Sequence, residues 1–462
     1  MINNNLFLVI FALMPLIALI GVIILRRWRA GIILIFIWLL MEDIIRRFIP
    51  GQPGQIMLIK DVLVLLVYFS FFAELIIKNK KIWLPSFIAP LLFLFSFIFI
   101  DIFNYRAPNL FFGFIGLRSY LWYLPLTFLG YYMFDDKEKL LKFCRTLVYA
   151  AIPLFVLIAL QYVFYSQNYS SFNFLLKPFS TAHQIHSSNS GDISLLSSVF
   201  GTAHRYARFS MLLFFLGVGL LTTKKSKILI ISVTSAFLGI ILSGSRTAFV
   251  LTAIGAALFL LFGTYVKNNK PRYLLGNINV KIFSLITAIL LILWAMFAGG
   301  DLSSFHISAF YETYRQRIPW VFEEITRSFS EAKFLGIGTG TMSQGRDYIP
   351  GGVEWYNYQT YVLRDGFWFE SGIGKIFFEL GFLGAALFFL FWGYLFHRIK
   401  KEINKLGISP LRNLALAISI FSFLILMWFL FIHHQTFGDA TTLVVLWFFI
   451  GALFSFNKLK AL

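Results

Sequence analysis

Cysteine is almost absent: Cys144 is the single one in 462 residues. That excludes an intrachain disulfide framework and any multi-cysteine metal site. Charge is scarce as well, with Asp, Glu, Lys and Arg making up 13% of the chain, far less than a disordered protein or a cytosolic enzyme carries. Acidic residues are the rarer sign, 21 against 40 Lys and Arg, which leaves a net charge of +19. No Walker loop, HExxH helix or Ser-His-Asp order is present, and neither is a long internal repeat or a low-complexity tract. What fills the chain is apolar: 59% hydrophobic residues, 19% aromatic residues and a mean hydropathy of +0.78. A soluble fold of this size cannot bury so much apolar surface. The positive charge is therefore not a nucleic-acid signature. In a polytopic protein, excess Lys and Arg set orientation against the anionic inner leaflet.

Apolar runs broken by charge clusters place 13 spans near 6–25, 30–45, 57–77, 82–103, 111–134, 146–166, 207–222, 228–243, 247–266, 282–299, 372–396, 411–432 and 440–456. The expected fold is all-α and polytopic, with 12–13 transmembrane helices and a large, partly helical external loop. The second and third spans are the weakest, because Lys60 and Asp61 interrupt the third. The first run is followed by Arg26, Arg27 and Arg29 rather than by a small-residue cleavage site, so no cleavable signal peptide is expected. Alternate loops hold more than half of the 40 cations, which makes that side cytoplasmic, with the C-terminus inside and the N-terminus outside, or inside if either weak early span is re-entrant. The chain then divides into N-terminal spans over 1–166, an external loop over 167–206, central spans over 207–299, a large external loop over 300–371 and C-terminal spans over 372–462. Neither loop is short enough to be a simple connector.

Arginines on the external side are the first candidates for chemistry. Arg205 and Arg208 are three apart at the start of the seventh span, so they project from one face of a helix. Arg246 sits in "SGSRTAF" between two spans, and Arg118 lies near the outer end of the fifth. An ionised side chain at membrane depth is costly unless paired or hydrated. These positions also run against the positive-inside bias. Converging guanidiniums offer a donor fork that matches phosphate oxygens, so an anion site fits them. Snorkelling to headgroups or pairing with a carboxylate would account for any one alone.

In the large loop, "YRQRIPW" sets Arg315 and Arg317 ahead of Trp320, with Pro319 read as a turn or kink. "GIGTG" follows, and Gly336, Gly338 and Gly340 would let backbone N–H groups approach an oxygen-rich ligand. Glu370 falls where the chain re-enters the membrane; desolvation there would raise its pKa and suit a general base. Lys375 and Glu379 are four apart and can pair on one helix face. His183-x-x-His186 has a metal-like spacing with no third ligand nearby, and His433-His434 with Asp439 reads as interfacial packing. Trp320, Trp355, Tyr356, Tyr358 and Trp368 could stack on sugar rings or simply pack the loop. No metal or other cofactor is expected.

"ILSGSRTAFVLTAIGAALFLL", a further span, "YRQRIPW…FLGIGTG" in a large loop, and then "ESGIGKIFFELGFLGA" resemble the O-antigen ligase and O-antigen polymerase family. The likeness is best over 199–396, with "GLRSYLWYLPLTFLGYYMF" adding support upstream. It implies the C-type membrane glycosyltransferase fold and an inverting transfer of glycan from a polyprenyl diphosphate carrier to a sugar hydroxyl, outside the cytoplasmic membrane. The implied partners are that lipid-linked donor, a glycan or lipid-linked sugar acceptor and membrane lipid. By motif, Arg246 matches the "SR" arginine, Arg317 the arginine before the loop tryptophan, Arg205 or Arg208 the cation opening the seventh span, and the three glycines the "GIG.G" turn. The family's proposed base is a histidine nine residues before the "E.G..G" glutamate; here that position is Glu370, followed by Ser371 rather than asparagine. The departure leans toward the polymerase branch or another relative rather than a lipid A-core ligase. A transporter of an anionic lipid-linked glycan is the rival reading, since it would use the same arginines without a base.

Overall fold

A computed structural model describes residues 21–48, 56–166, 196–223, 226–267, 270–273 and 307–461, apart from 344, 346–348, 353, 356–369 and 408. The expected span 282–299, most of 6–25, the His183/His186 pair, Tyr356, Tyr358 and Trp368 lie outside the described residues.

The described chain is helical: α1 (Trp28–Phe48), α2 (Ile56–Ile77), α3 (Ile88–Asp101), α4 (Leu110–Tyr120), α5 (Leu126–Met133), α6 (Lys137–Tyr149), α7 (Ala151–Ser166), α8 (Ala203–Leu221), α9 (Lys227–Leu242), α10 (Arg246–Phe262), α11 (Ile307–Ala332), α12 (Gly372–Lys405), α13 (Pro410–Phe431) and α14 (Ala440–Ala461). A 3-10 turn, His434–Phe437, joins the last two, and a short antiparallel hairpin, Thr264–Lys267 with Lys270–Tyr273, follows α10. Among the described residues, four helical stretches are long and apolar enough to cross a membrane: Lys137–Val163, Gly372–Lys405, Leu411–Phe431 and Ala440–Lys460. Ile88–Asp101, Lys227–Leu242 and Arg246–Phe262 are apolar but shorter. Large apolar side chains stand exposed on α3 (Phe93 68%, Ile100 71%) and α12 (Leu390 65%). Such surface is costly in water and natural against lipid tails.

Three expectations change. The fifth span, 111–134, is two short helices separated at Leu121–Pro125, because Pro125 has no amide to continue the first. The fourth span shortens to Ile88–Asp101. Pro319 does not break α11, which runs unbroken from Ile307 to Ala332.

The chain forms two compact units parting at Leu84/Pro85. In the first, Gly31 lets α1 approach Val67 of α2. Lys60 does not interrupt α2; it is buried and donates to both carboxylate oxygens of Glu42, at 2.6 and 2.9 Å. A buried lysine is tolerable only with such a partner.

In the second unit α8, α13 and α14 form the centre, with Met211, Leu213, Ile418, Leu446 and Phe448 fully buried. Helices α5 and α14 touch backbone to backbone: a Cβ on Gly130 would stand 2.1 Å from the Phe448 carbonyl, and one on Gly451 2.0 Å from the Thr127 carbonyl. Small residues at a helix crossing allow that approach.

Helix α12 is broken at Gly381, whose φ of 65° lies in the left-handed region. The backbone groups freed there are taken up by the segment Lys333–Gly338. Ile337 and Gly338 donate to the carbonyls of Phe378 and Glu379 at 2.9 and 3.1 Å, while Phe382 and Leu383 donate to those of Lys333 and Phe334 at 3.3 and 3.2 Å. The glycine loop then turns onto α4, where a Cβ on Gly340 (φ +88°) would fall 1.9 Å from the Phe112 carbonyl. Gly340→Ala combines that clash with left-handed strain of about 1–2 kcal/mol. It is expected to lower the thermal unfolding midpoint of the detergent-solubilised protein by several degrees. An unchanged midpoint would contradict this packing.

Candidate functional site

The arginines of α8 come first. Thr202 caps the helix by accepting from the Arg205 amide at 3.2 Å, so Arg205 and Arg208 follow one another along one face of its first turns. Both are buried, and both reach Asp439, which stands immediately before α14. Arg205 Nε is 2.9 Å from Oδ1 and Arg208 Nη2 is 3.0 Å from Oδ2. Arg208 also donates to Thr442 (2.9 Å) and Thr436 (3.4 Å), and its guanidinium lies 5.3 Å from the Trp428 ring centroid. Thr442 adds a third donor to Asp439 at 2.6 Å. Burial pushes the Asp439 carboxyl up, but the two guanidiniums and Thr442 outweigh it and hold it well below the usual carboxylate range. Arg205 and Arg208 are thus not the open anion clamp expected of them. They are fastened to their own acid, leaving the buried trio one net positive charge.

The "SGSR" turn is a short reversal between α9 and α10. Gly244 supplies φ +70°, and Ser243 Oγ accepts from the Ser245 amide at 3.3 Å. Arg246 opens α10, half-buried. Ser245 Oγ lies 3.3 Å from His204 Nδ1, which ties this turn to the start of α8. The His204 ring lies 5.5 Å from that of His433, and the His433 and His434 rings stack at 6.0 Å. Burial, then the adjacent His204, Arg208, His434 and Arg317, push the His433 imidazole well below the usual histidine value, so it is neutral at pH 7. The sequence reading treated this histidine pair as packing, and nothing in its local pattern signals that a third histidine faces it from α8.

His434 carries the chain of contacts onward. Its amide donates to the Glu370 carbonyl at 2.7 Å. The Glu370 carboxylate pairs with Arg317 Nη1, while Arg317 Nη2 donates to the Ile432 carbonyl. Glu370 is therefore not the desolvated acid expected: its side chain is half exposed, at 50%, and is bound to a guanidinium. The desolvated carboxylate is Glu324. It accepts from Trp320 Nε1 (2.8 Å), the amides of Glu370 (2.7 Å) and Ser371 (3.0 Å) and the Ser371 hydroxyl. Burial drives its pKa up, against the pull of those donors. Ser371 in turn caps α12 by accepting from Gly374 at 3.1 Å. Glu324 thus positions the start of α12, and with it Glu370.

The remaining candidates separate from this cluster. Arg315 is exposed on α11, and the Trp320 indole bonds within its own helix. The amides of Gly336 and Gly338 are engaged by Ala332 and Glu379 carbonyls, so these glycines serve the α12 break rather than an external oxygen. Trp355 donates to the Thr341 carbonyl at 3.3 Å and packs on the core of Ala332, Ile337, Met342 and Phe378. Lys375 and Glu379 do share one face, 3.9 Å apart and fully buried. Glu379 also accepts from Tyr120 Oη (2.8 Å) and the Met342 amide (2.6 Å). Arg118 stands on α4 two residues from Tyr120, with Nη2 at 3.5 Å from Tyr123 Oη.

Segments far apart in sequence therefore meet: the start of α8, the SGSR turn, the middle of α11, Glu370 and the turn before α14. No protein-family model matches the chain, and no curated protein matches it.

Asp439→Asn would leave two buried guanidiniums against a neutral amide. Breaking a buried pair costs about 3–5 kcal/mol, so the variant is expected to unfold at a clearly lower temperature than the parent. Because the Asp439 carboxyl is held down in the fold, its contribution is present above the ordinary carboxylate pKa and is lost as pH falls through the lowered one. The difference between parent and variant should then shrink on acidification below about pH 4. A pH-independent gap would discount the pairing.

Proposed function

We propose that this chain is a membrane glycosyltransferase of the O-antigen polymerase or ligase type. It would transfer glycan from a polyprenyl diphosphate carrier to a sugar hydroxyl at the external face of the cytoplasmic membrane, with the 12–13 spans of a C-type fold. One observation carries the reading: Arg317 and Glu370 meet beside the turn that holds His433 and His434, and His204 links that turn to Ser245-Arg246. The site gathers Arg317, a carboxylate and neutral imidazole at helix ends, with the turn that carries Arg246 tied to them through Ser245 and with the net positive trio of Arg205, Arg208 and Asp439 on the same helix start.

In this reading the Arg317–Glu370 pair is the resting state. A diphosphate competes with Glu370 for the guanidinium, since a doubly charged phosphate chain is the stronger bidentate partner. The released carboxylate then takes the proton of the acceptor hydroxyl. The acceptor oxygen attacks the anomeric carbon in line, the bond from that carbon to the diphosphate oxygen breaks, and the electron pair leaves with the diphosphate. Arg246 and Arg317 stabilise the charge that collects there. Arg205 and Arg208 act through the field of their trio rather than by contact.

The transporter reading keeps one specific support, the break of α12 at Gly381, since discontinuous helices are common at transport sites. Product formation by the purified protein with a lipid diphosphate donor separates the two, because a transporter makes none. Arg246→Ala and Arg317→Ala should abolish polymer while the protein stays in the membrane. Glu370→Gln should cut turnover by about a hundredfold or more, the usual worth of a positioned base. Normal long-chain product in both arginine variants, or parental turnover in Glu370→Gln, would sink the proposal.

A further inference from the structure

The polar groups around the start of α4 are not absorbed by this chemistry. Asp101 is the last residue of α3, 93% buried, and sits where the helix dipole is negative, the unfavourable end for a carboxylate. Asn104 donates to its Oδ1 at 2.8 Å, while Oδ2 is buried without a hydrogen-bond partner. The Thr339 amide also hydrogen-bonds toward this carboxyl, and the charge beside it is that of Glu379, also negative. Thr339 is fully buried, and its Oγ1 has no partner either. That oxygen lies against Gly116 of α4, 2.5 Å from where a Cβ would stand. One helical turn further on, Ser119 presents a third buried hydroxyl without a partner.

Charge does not balance here. Glu379 has Lys375 at 3.9 Å, and Lys375 is further engaged by Ser343 (2.8 Å) and stands over the Tyr120 ring. Arg106, the nearest arginine in sequence, is bound to the carbonyls of Glu331, Ala332 and Gly336. Among the described residues no cation pairs with Asp101. Two buried carboxylates thus face one ammonium, and an unpaired buried charge is far costlier than the orphan oxygens themselves. Oxygen-only donors with one negative charge left over, at a helix C-terminus beside a broken helix, match the setting in which proteins hold a hard monovalent cation.

We propose that Asp101 and Thr339, with Ser119 flanking them, form a sodium-ion site that ties the end of α3 to the glycine loop and α4. The ion supplies the positive charge that the Asp101–Glu379–Lys375 group lacks, and it takes up the Oδ2 and Oγ1 lone pairs. It adds no step to the transfer chemistry and is independent of that reading.

The test is the thermal unfolding of the purified full-length protein in detergent, in sodium chloride against choline chloride at equal ionic strength. Sodium is expected to raise the midpoint by about 2 °C or more, saturably. Asp101→Asn should abolish the effect, and Thr339→Val, which keeps the carboxylate and the shape, should raise the half-saturating sodium concentration about tenfold. Equal midpoints in the two salts would overturn the site, as would a sodium effect that survives Asp101→Asn. So would a midpoint that follows pH but not sodium, because Asp101 would then carry a proton instead. If Asp101→Asn fails to fold, Thr339→Val decides, and an unchanged half-saturation overturns the proposal.

Discussion

The exchange of backbone hydrogen bonds between Lys333–Gly338 and the break in α12 is the constraint on which the rest hangs. A helix interrupted at Gly381 frees amides and carbonyls in an apolar setting, where each unpaired group costs several kcal/mol. Four bonds to the glycine loop remove that cost and fix the loop's register at once. Because the loop follows α11 directly, its register sets where α11 lies along the first half of α12. Arg106 closes the other side of the joint by binding the last carbonyls of α11, the end where a cation is favoured. The segment Lys333–Gly338 is therefore no loose lid. It is bolted to α12 through main chain, where side-chain changes cannot easily loosen it.

That register has a consequence some two turns earlier. With Ala332 held at the break, Glu324 falls beside the first residues of α12 and Ser328 bonds the Gly374 carbonyl at 3.0 Å. Glu324 then collects the amides of Glu370 and Ser371, and Arg317, two turns before it, comes level with the Glu370 carboxylate and the Ile432 carbonyl. The contact between guanidinium and carboxylate is thus the far end of a rigid lever. Displacing the Glu370 carboxylate requires only side-chain motion, since its backbone is fixed independently by Glu324 and by His434.

Much of this was legible in sequence and much was not, for physical reasons that differ by element. Helix positions followed from apolar runs, so α8, α9, α10, α13 and α14 lie within a few residues of their expected spans. The facing of Arg205 with Arg208 and of Lys375 with Glu379 followed from helical spacing alone. The partner of the arginines did not, because Asp439 lies some 230 residues on and reads with His433-His434 as interfacial packing. Gly381 was equally silent, since a glycine in an apolar run is compatible with a continuous span. The three glycines of "GIGTG" were read for close approach of their amides to a ligand, and all three have left-handed backbone. The spacing could not say whether their amides face a ligand or another helix. Glu370 was misjudged for exposure because hydropathy marks the edge of a span, not which side of the helix the water reaches.

The two ionic groups near the site differ in a way that assigns them different work. Asp439 faces two guanidiniums and the Thr442 hydroxyl with almost no exposure, so removing its carboxylate strands two buried charges. Such a knot holds the start of α8, the turn before α14 and Trp428 in one arrangement and cannot open without large loss. Arg317 and Glu370 are paired one to one, with half the carboxylate in solvent. An exposed pair contributes about 0–1 kcal/mol, which a multiply charged ligand easily exceeds. Only the weaker pair can exchange partners. The buried trio stays closed while the half-exposed pair can open, and that difference arises from burial.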